Sequence, residues 1–166
     1  MSPKQSAGIG VMLASGRKKH FRATGGHMIE QQKAFRWTEA YSVRIASLDK
    51  EHQGLFQTIG ELNTALATGE GNEALVPILQ KLSEYTVTHF TAEEILMEKH
   101  KFPGLATHRA QHKVFCDRIA TSMEDFEAGK SGVPVTLAFF LLNWLKEHVQ
   151  TADKQYSRYL NERGEH

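Results

Sequence analysis

The sequence predicts an all-α fold, an antiparallel up-down-up-down four-helix bundle with an N-terminal arm. Three observations predict it. Apolar residues recur at helical spacing through four long stretches. Glycine and proline clusters separate those stretches. The connections are short, which sets successive helices side by side and antiparallel. No internal repeat and no strand-rich region competes with this reading.

Residues 35–48 read as an extended arm laid over the bundle, because Trp37, Tyr41, Val43 and Ile45 alternate with polar residues. A first helix is expected over 48–68, with Leu48, Leu55, Phe56, Ile59, Leu62 and Leu66 on its apolar stripe. Gly54 and Gly60 lie inside it, and each costs roughly 1 kcal/mol against alanine, so both are expected to permit close packing. Gly69-Glu70-Gly71 ends it. A second helix follows over 73–99, with Pro77 near its first turn and Leu75, Ile78, Leu79, Leu82, Tyr85, Phe90, Ile95 and Leu96 on its apolar face. Phe102-Pro103-Gly104 breaks the chain before a third helix over 105–128. After Gly129-Lys130-Ser131-Gly132 the fourth starts near Pro134, a suitable first-turn residue, and continues to about Leu160.

At 166 residues and a formal net charge of +1, the chain is expected to form one domain. The charge is unevenly placed: residues 1–34 carry a net +5 and residues 35–166 a net −4. The first 34 residues read as a poorly ordered basic extension outside the fold, with an address signal or polybasic surface segment as the alternative. A mildly acidic domain without a basic stripe gives no reason to expect nucleic-acid binding. Cys116 is the single cysteine, which excludes an intrachain disulfide; beside Phe115 and Ile119 it reads as a packing residue. The longest apolar run is far short of the roughly 20 residues that span a bilayer, so a soluble, cytoplasmic, monomeric protein is expected.

The chemistry lies in seven side chains, His52, His89, Glu93, His108, His112, His148 and Asp153. Imidazole and carboxylate together are the ligand set of a first-row transition metal, and seven such groups exceed what one ion takes. Residues four apart on a helix lie about 40° from each other, so His89 and Glu93 share a face, as do His108 and His112. Those faces also carry apolar residues, so the polar groups point inward, where a cation offsets their desolvation. His148 and Asp153 are five apart, about 140° out of phase in a regular helix, so a π-type bulge or kink near Thr151 is needed to bring them together. Taken singly, His52 reads as a surface histidine and His-x-x-x-Glu as a solvated pair; the combined pattern argues otherwise. His20, His27, His100 and His166 lack this context and read as ordinary surface or tail residues.

These motifs resemble those of bacterial hemerythrins: Trp37 with Asp49-Lys50-Glu51-His52, His89-Phe90-Thr91-Ala92-Glu93-Glu94, His108-Arg109-Ala110-Gln111-His112, and Trp144-Leu145-Lys146-Glu147-His148 with Asp153. The resemblance spans residues 35–160. It implies a non-haem di-iron centre with an oxo or hydroxo bridge that binds dioxygen reversibly. By analogy, His108, His112 and His148 hold one iron, His52 and His89 the other, and Glu93 and Asp153 bridge them. Dioxygen then takes the open position beside the two-histidine iron. Phe90, Trp144, Leu145, Val149 and Tyr156 match the positions that line the apolar oxygen pocket in relatives; core packing is the plainer account of the same residues. No role is assigned to Glu94. The resemblance favours oxygen storage, delivery or sensing over catalysis. Peroxide or nitric-oxide chemistry, or an iron-sensing module that docks a protein partner, are the competing classes. A stand-alone carrier feeding an oxygen-consuming enzyme is expected rather than a fused receptor.

Overall fold

The computed structural model describes residues 36–166. The expectations for residues 1–34, and for Phe35 in the arm, lie outside the described residues. A single 3-10 turn at Glu39–Tyr41 leads into α1 (Ala46–Thr68). The second rod is α2 (Gly71–Tyr85), a π-helical segment (Thr86–Phe90) and α3 (Thr91–Lys99) in unbroken succession. The third rod is α4 (Leu105–Glu127). The fourth is α5 (Val133–Glu147), a second π-helical segment (His148–Asp153) and α6 (Lys154–Asn161). Each rod packs on its chain neighbours, and α5 closes the ring against α1, which is the expected four-helix bundle. No described helix is long and apolar enough to cross a membrane.

The helix ends follow from local chemistry. Gly69 stops α1 in the left-handed region at φ 83°, and the Glu70 amide bonds back to the Ala65 carbonyl at 2.7 Å. Gly132, at φ 77°, turns the chain into α5, and Pro134 occupies its first turn. The arm is tied down by Asp49 in the first turn of α1. Its carboxylate accepts the Val43 amide at 2.7 Å and the Ser42 hydroxyl at 2.6 Å. Lys154 Nζ donates to the Ser42 carbonyl, and Asn161 Nδ2 to that of Val43 at 3.2 Å.

The core has two apolar clusters. The larger includes Leu55, Ile59, Leu62, Leu79, Leu82, Phe90, Phe115, Leu141, Leu145 and Val149. The smaller joins Val43, Ile45, Leu48, Met97, Tyr156 and Leu160. On three rods a candidate ligand stands between them in sequence. His52 falls between Leu48 and Leu55, Glu93 between Phe90 and Met97, and Asp153 between Val149 and Tyr156. The fold therefore places a polar layer between two dry ends.

Several sequence expectations require correction. The arm is not extended throughout, since the turn at Glu39–Tyr41 interrupts it, and α1 begins two residues before Leu48. Pro77 lies inside α2, past the first turn, because that helix starts at Gly71. Gly54 and Gly60 permit no close approach: a Cβ on either meets nothing within 4 Å. The packed glycines are Gly71, where a Cβ would stand 2.8 Å from Leu66 Cδ2 and 3.4 Å from Pro134 Cβ, and Gly104, where it would stand 2.6 Å from the Phe102 ring. Ile95 is 59% exposed, and Cys116 is exposed, since Phe115 and Ile119 carry the buried face of α4. His100 is half-buried, its Nε2 2.8 Å from Glu165 Oε1, and it helps hold the C-terminal turn.

Because Gly54 combines a helix-interior position with open space, Gly54→Ala is expected to raise stability by about 1 kcal/mol. Gly71→Ala is expected to lower it, because the Leu66 methyl group must move. Urea midpoints at unchanged m-value check both; a Gly54→Ala midpoint at or below that of the native chain contradicts the assignment.

Candidate metal centre

All seven side chains singled out in the sequence meet in the polar layer, and each is at most 5% exposed. Two groups form. Glu93, His108, His112 and His148 offer donor atoms within 4.8 Å of one another, and so do His52, His89 and Glu93. Glu93 belongs to both. Its Oε2 lies 3.1 Å from His108 Nε2 and 3.0 Å from His112 Nε2, while its Oε1 lies 3.2 Å from His89 Nε2. Asp153 is placed similarly, with Oδ1 3.1 Å from His148 Nε2 and Oδ2 3.3 Å from His52 Nε2. The second π-helical segment makes this possible. Its i→i+5 turn brings residues five apart onto one face, so His148 and Asp153, its first and last residues, both point inward.

Aromatic rings flank each of the five buried histidines. Phe90 stacks on His112 with centroids 3.7 Å apart and 6° between planes, and Trp144 on His148 at 4.1 Å and 18°. Tyr156 meets His108 edge-on at 5.2 Å and donates its hydroxyl to Glu93 Oε1. Leu145 and Val149 are fully buried in the larger apolar cluster. Phe90, Trp144 and Tyr156 thus pack on the three-histidine group. The two-histidine group meets Trp37, on His52 at 6.2 Å, and Tyr85, on His89 at 4.6 Å, with Phe90 also 5.9 Å from His89.

Three further residues escaped the sequence reading. Glu51 Oε2 lies 2.8 Å from His89 Nδ1, Glu94 Oε1 2.9 Å from His112 Nδ1, and Gln111 Oε1 2.9 Å from His148 Nδ1. Glu94 is itself held by Arg109 Nε at 2.8 Å. Such bonds leave each Nε2 free to face the centre, because an imidazole whose Nδ1 donates a proton presents its other nitrogen as a lone pair. The only hint in the chain was position: each of the three adjoins a ligand candidate.

The cluster is under electrostatic stress as it stands. Burial, reinforced by the nearby His89, pushes His52 down to about 4. Burial with the repulsion of His108 and His112 outweighs Glu93 and pushes His148 down to about 2. Burial opposes the proton on His89, but Glu93 and the hydrogen bond to Glu51 prevail and raise it to about 9. The two acids diverge. Despite burial, the charge of His89 and the hydrogen bond with His108 hold Glu93 well below the usual carboxylate range, whereas burial and the charge of Glu93 push Asp153 well above it. Two like charges this close cannot both ionise freely.

The donor set fits metal ions. His52, His112 and His148 Nε2 and both Asp153 oxygens are buried without a hydrogen-bond partner among the described residues, all within the layer. Unpaired buried polar atoms of this kind are costly, and coordination satisfies them together. Imidazole with carboxylate, and no thiolate, suits a divalent first-row ion. The layer is thus a buried His/carboxylate cluster able to chelate metal ions.

A pH dependence of the metal-free protein follows. Between about pH 4.5 and 6.5, His52 and His148 are neutral when folded and protonated when unfolded, while Asp153 keeps a proton only when folded. The unfolded chain then binds about one more proton, so stability rises with pH by up to about 1.4 kcal/mol per pH unit. Above pH 6.5 the folded state holds the extra protons, on Asp153 and, up to about pH 9, on His89, and stability falls. Unfolding free energies of the metal-free chain should therefore peak near pH 6.5; a monotonic profile from pH 5 to 9 contradicts these shifts.

Comparison with known proteins agrees with this geometry. Residues 43–160 match the hemerythrin HHE cation binding domain. The chain is 31% identical over 121 residues to a bacteriohemerythrin of Methylococcus capsulatus, covering 72% of this chain and 92% of that one. It is 28% identical over 120 residues to a bacteriohemerythrin of Pseudomonas aeruginosa, covering 72% and 77%. It is 30% identical over 121 residues to myohemerythrin-1 of Phascolopsis gouldii, covering 72% and 89%. With the bundle, the inward histidines and the matched span in agreement, this chain belongs to the hemerythrin family.

Proposed function

We propose that the protein binds dioxygen reversibly at a pair of non-haem irons, with His108, His112 and His148 on one ion and His52 and His89 on the other. The observation that carries this reading is the placement of the two carboxylates. Each directs one oxygen toward the three-histidine group and the other toward the two-histidine group, as bridging ligands must. When bound, the iron pair supplies the reversible electron transfer that holds and releases dioxygen.

The chain's own residues set the conditions. Five imidazoles are divided three to two, so the side of His52 and His89 offers fewer protein donors and would leave a ligand position to a small exogenous molecule. Trp37 and Tyr85 cover that side and exclude water, which favours release of neutral dioxygen over loss of a charged reduced form. Burial and the charges of Glu93 and Asp153 raise the Tyr156 phenol well above its ordinary range, so it stays protonated and donates to Glu93. Membership of the hemerythrin family supports the same reading.

Purified under iron-replete conditions, the protein should contain about two irons per chain. In air it should show a visible absorption that bleaches when dioxygen is removed and returns on readmission. Zinc as the only metal, or a colourless aerobic protein at full iron occupancy, overturns the reading. His148→Ala should abolish the reversible colour while far-ultraviolet circular dichroism retains most of the helix signal; an unchanged visible spectrum shows that the ligand assignment is wrong. Turnover of peroxide or nitric oxide well above the autoxidation rate would place the protein with the enzymes instead.

A further inference from the structure

The three hydrogen bonds to histidine Nδ1 share a direction. Glu51 stands beside His52 on the first rod and bonds His89 on the second. Glu94 stands beside Glu93 on the second rod and bonds His112 on the third. Gln111 stands beside His112 on the third and bonds His148 on the fourth. In each case the chain neighbour of one inward residue supports a histidine of the next rod.

Helix geometry accounts for the common sense of rotation. Successive residues are displaced by about 100°, and antiparallel rods reverse the direction in which the chain advances. The residue before a ligand on an upward rod and the residue after one on a downward rod therefore swing to the same side. Glu51 and Gln111 precede ligands on the first and third rods, and Glu94 follows one on the second. The matching positions on the fourth rod are Val149, after His148, and Lys154, after Asp153. Valine carries no acceptor, and the lysine ammonium is a donor that is directed to the Ser42 carbonyl. No support therefore returns to the first rod. His52 is left with its Nδ1 buried and without a hydrogen-bond partner among the described residues.

We infer that a one-way hydrogen-bond relay around the bundle orients His89, His112 and His148 and stops short of His52, leaving the two-histidine position with one ligand unsupported at Nδ1 and making it the second to fill and the first to empty. Glu51, Glu94 and Gln111 are positioning residues in this scheme. The order of filling rests on the two-iron reading; the relay itself does not. Unequal hold on the two ions gives the exchangeable, ligand-accepting position to the side where the imidazole shell is already smaller.

The metal-free protein tests the relay directly. Long-range proton–nitrogen NMR should show slowly exchanging Nδ1 protons on His89, His112 and His148 and a rapidly exchanging one on His52; equal protection of all four overturns the relay. Anaerobic titration with ferrous iron should first perturb His108, His112 and His148 and only in a second step His52 and His89. Simultaneous perturbation, or His52 first, overturns the order of filling. Saturation at a single ion strikes the two-iron reading, while the exchange pattern still decides the relay. Glu94→Ala should weaken the first step by 10- to 100-fold. Glu94→Gln, which keeps an accepting oxygen as Gln111 does, should recover most of that loss. Equal damage in both variants refutes an orienting role, and an unfolded Glu94→Ala leaves the decision to the exchange pattern in Glu94→Gln.

Discussion

Two buried carboxylates facing five buried imidazoles are the constraint on which the structure depends. Glu93 and Asp153 are each fully buried, and neither lysine nor arginine reaches them among the described contacts. An isolated carboxylate in such a place is prohibitively costly, so the layer can exist only where proton-carrying imidazoles or cations balance it. The opposed shifts of the two acids are the metal-free solution to that problem: one stays ionised among the histidines, and the other retains a proton. Metal ions offer the other solution, in which both acids ionise and every Nε2 becomes a donor.

That constraint explains the irregularities of the backbone. Both interruptions of regular α-helix contain ligand candidates: His89 in the first π-helical segment, and His148 with Asp153 in the second. A π turn has weaker intrinsic support than an α turn, and it persists where the side chains it aims are needed. In the fourth rod the effect is simple, since residues five apart share a face only in this geometry. The aromatic rings then fix the planes of the imidazoles, with Phe90 on His112 and Trp144 on His148 nearly parallel.

Much of this was legible in the chain because helical periodicity and ligand chemistry are local signals. The four rods, their turns and the inward faces of His89, Glu93, His108 and His112 follow from spacing alone. The second π-helical segment was legible for the same reason, since a five-residue gap between His148 and Asp153 conflicts with an α-helix. The first was not, because His89 and Glu93 are four apart and satisfy an ordinary helix. Glu51, Glu94 and Gln111 were missed because their partners lie on neighbouring rods, and the rotation of one rod against another is a tertiary property. Cys116 shows the limit from the other side: one residue along a helix is about 100° of rotation, enough to carry it from the core beside Phe115 to the surface.

The division of the core bears on how such a site can exist before metal arrives. A polar layer through the middle of a bundle weakens it, yet the layer is bounded by dry clusters at both ends. Those clusters bury side chains such as Leu62, Leu79, Leu137 and Leu160 completely, each contributing roughly 1.5–3 kcal/mol of transfer free energy. The arm, fastened through Asp49, Lys154 and Asn161, seals the smaller cluster where the first and last rods meet. The two dry ends thus hold the rods in register on either side of the polar layer and keep the donors of different rods facing one another.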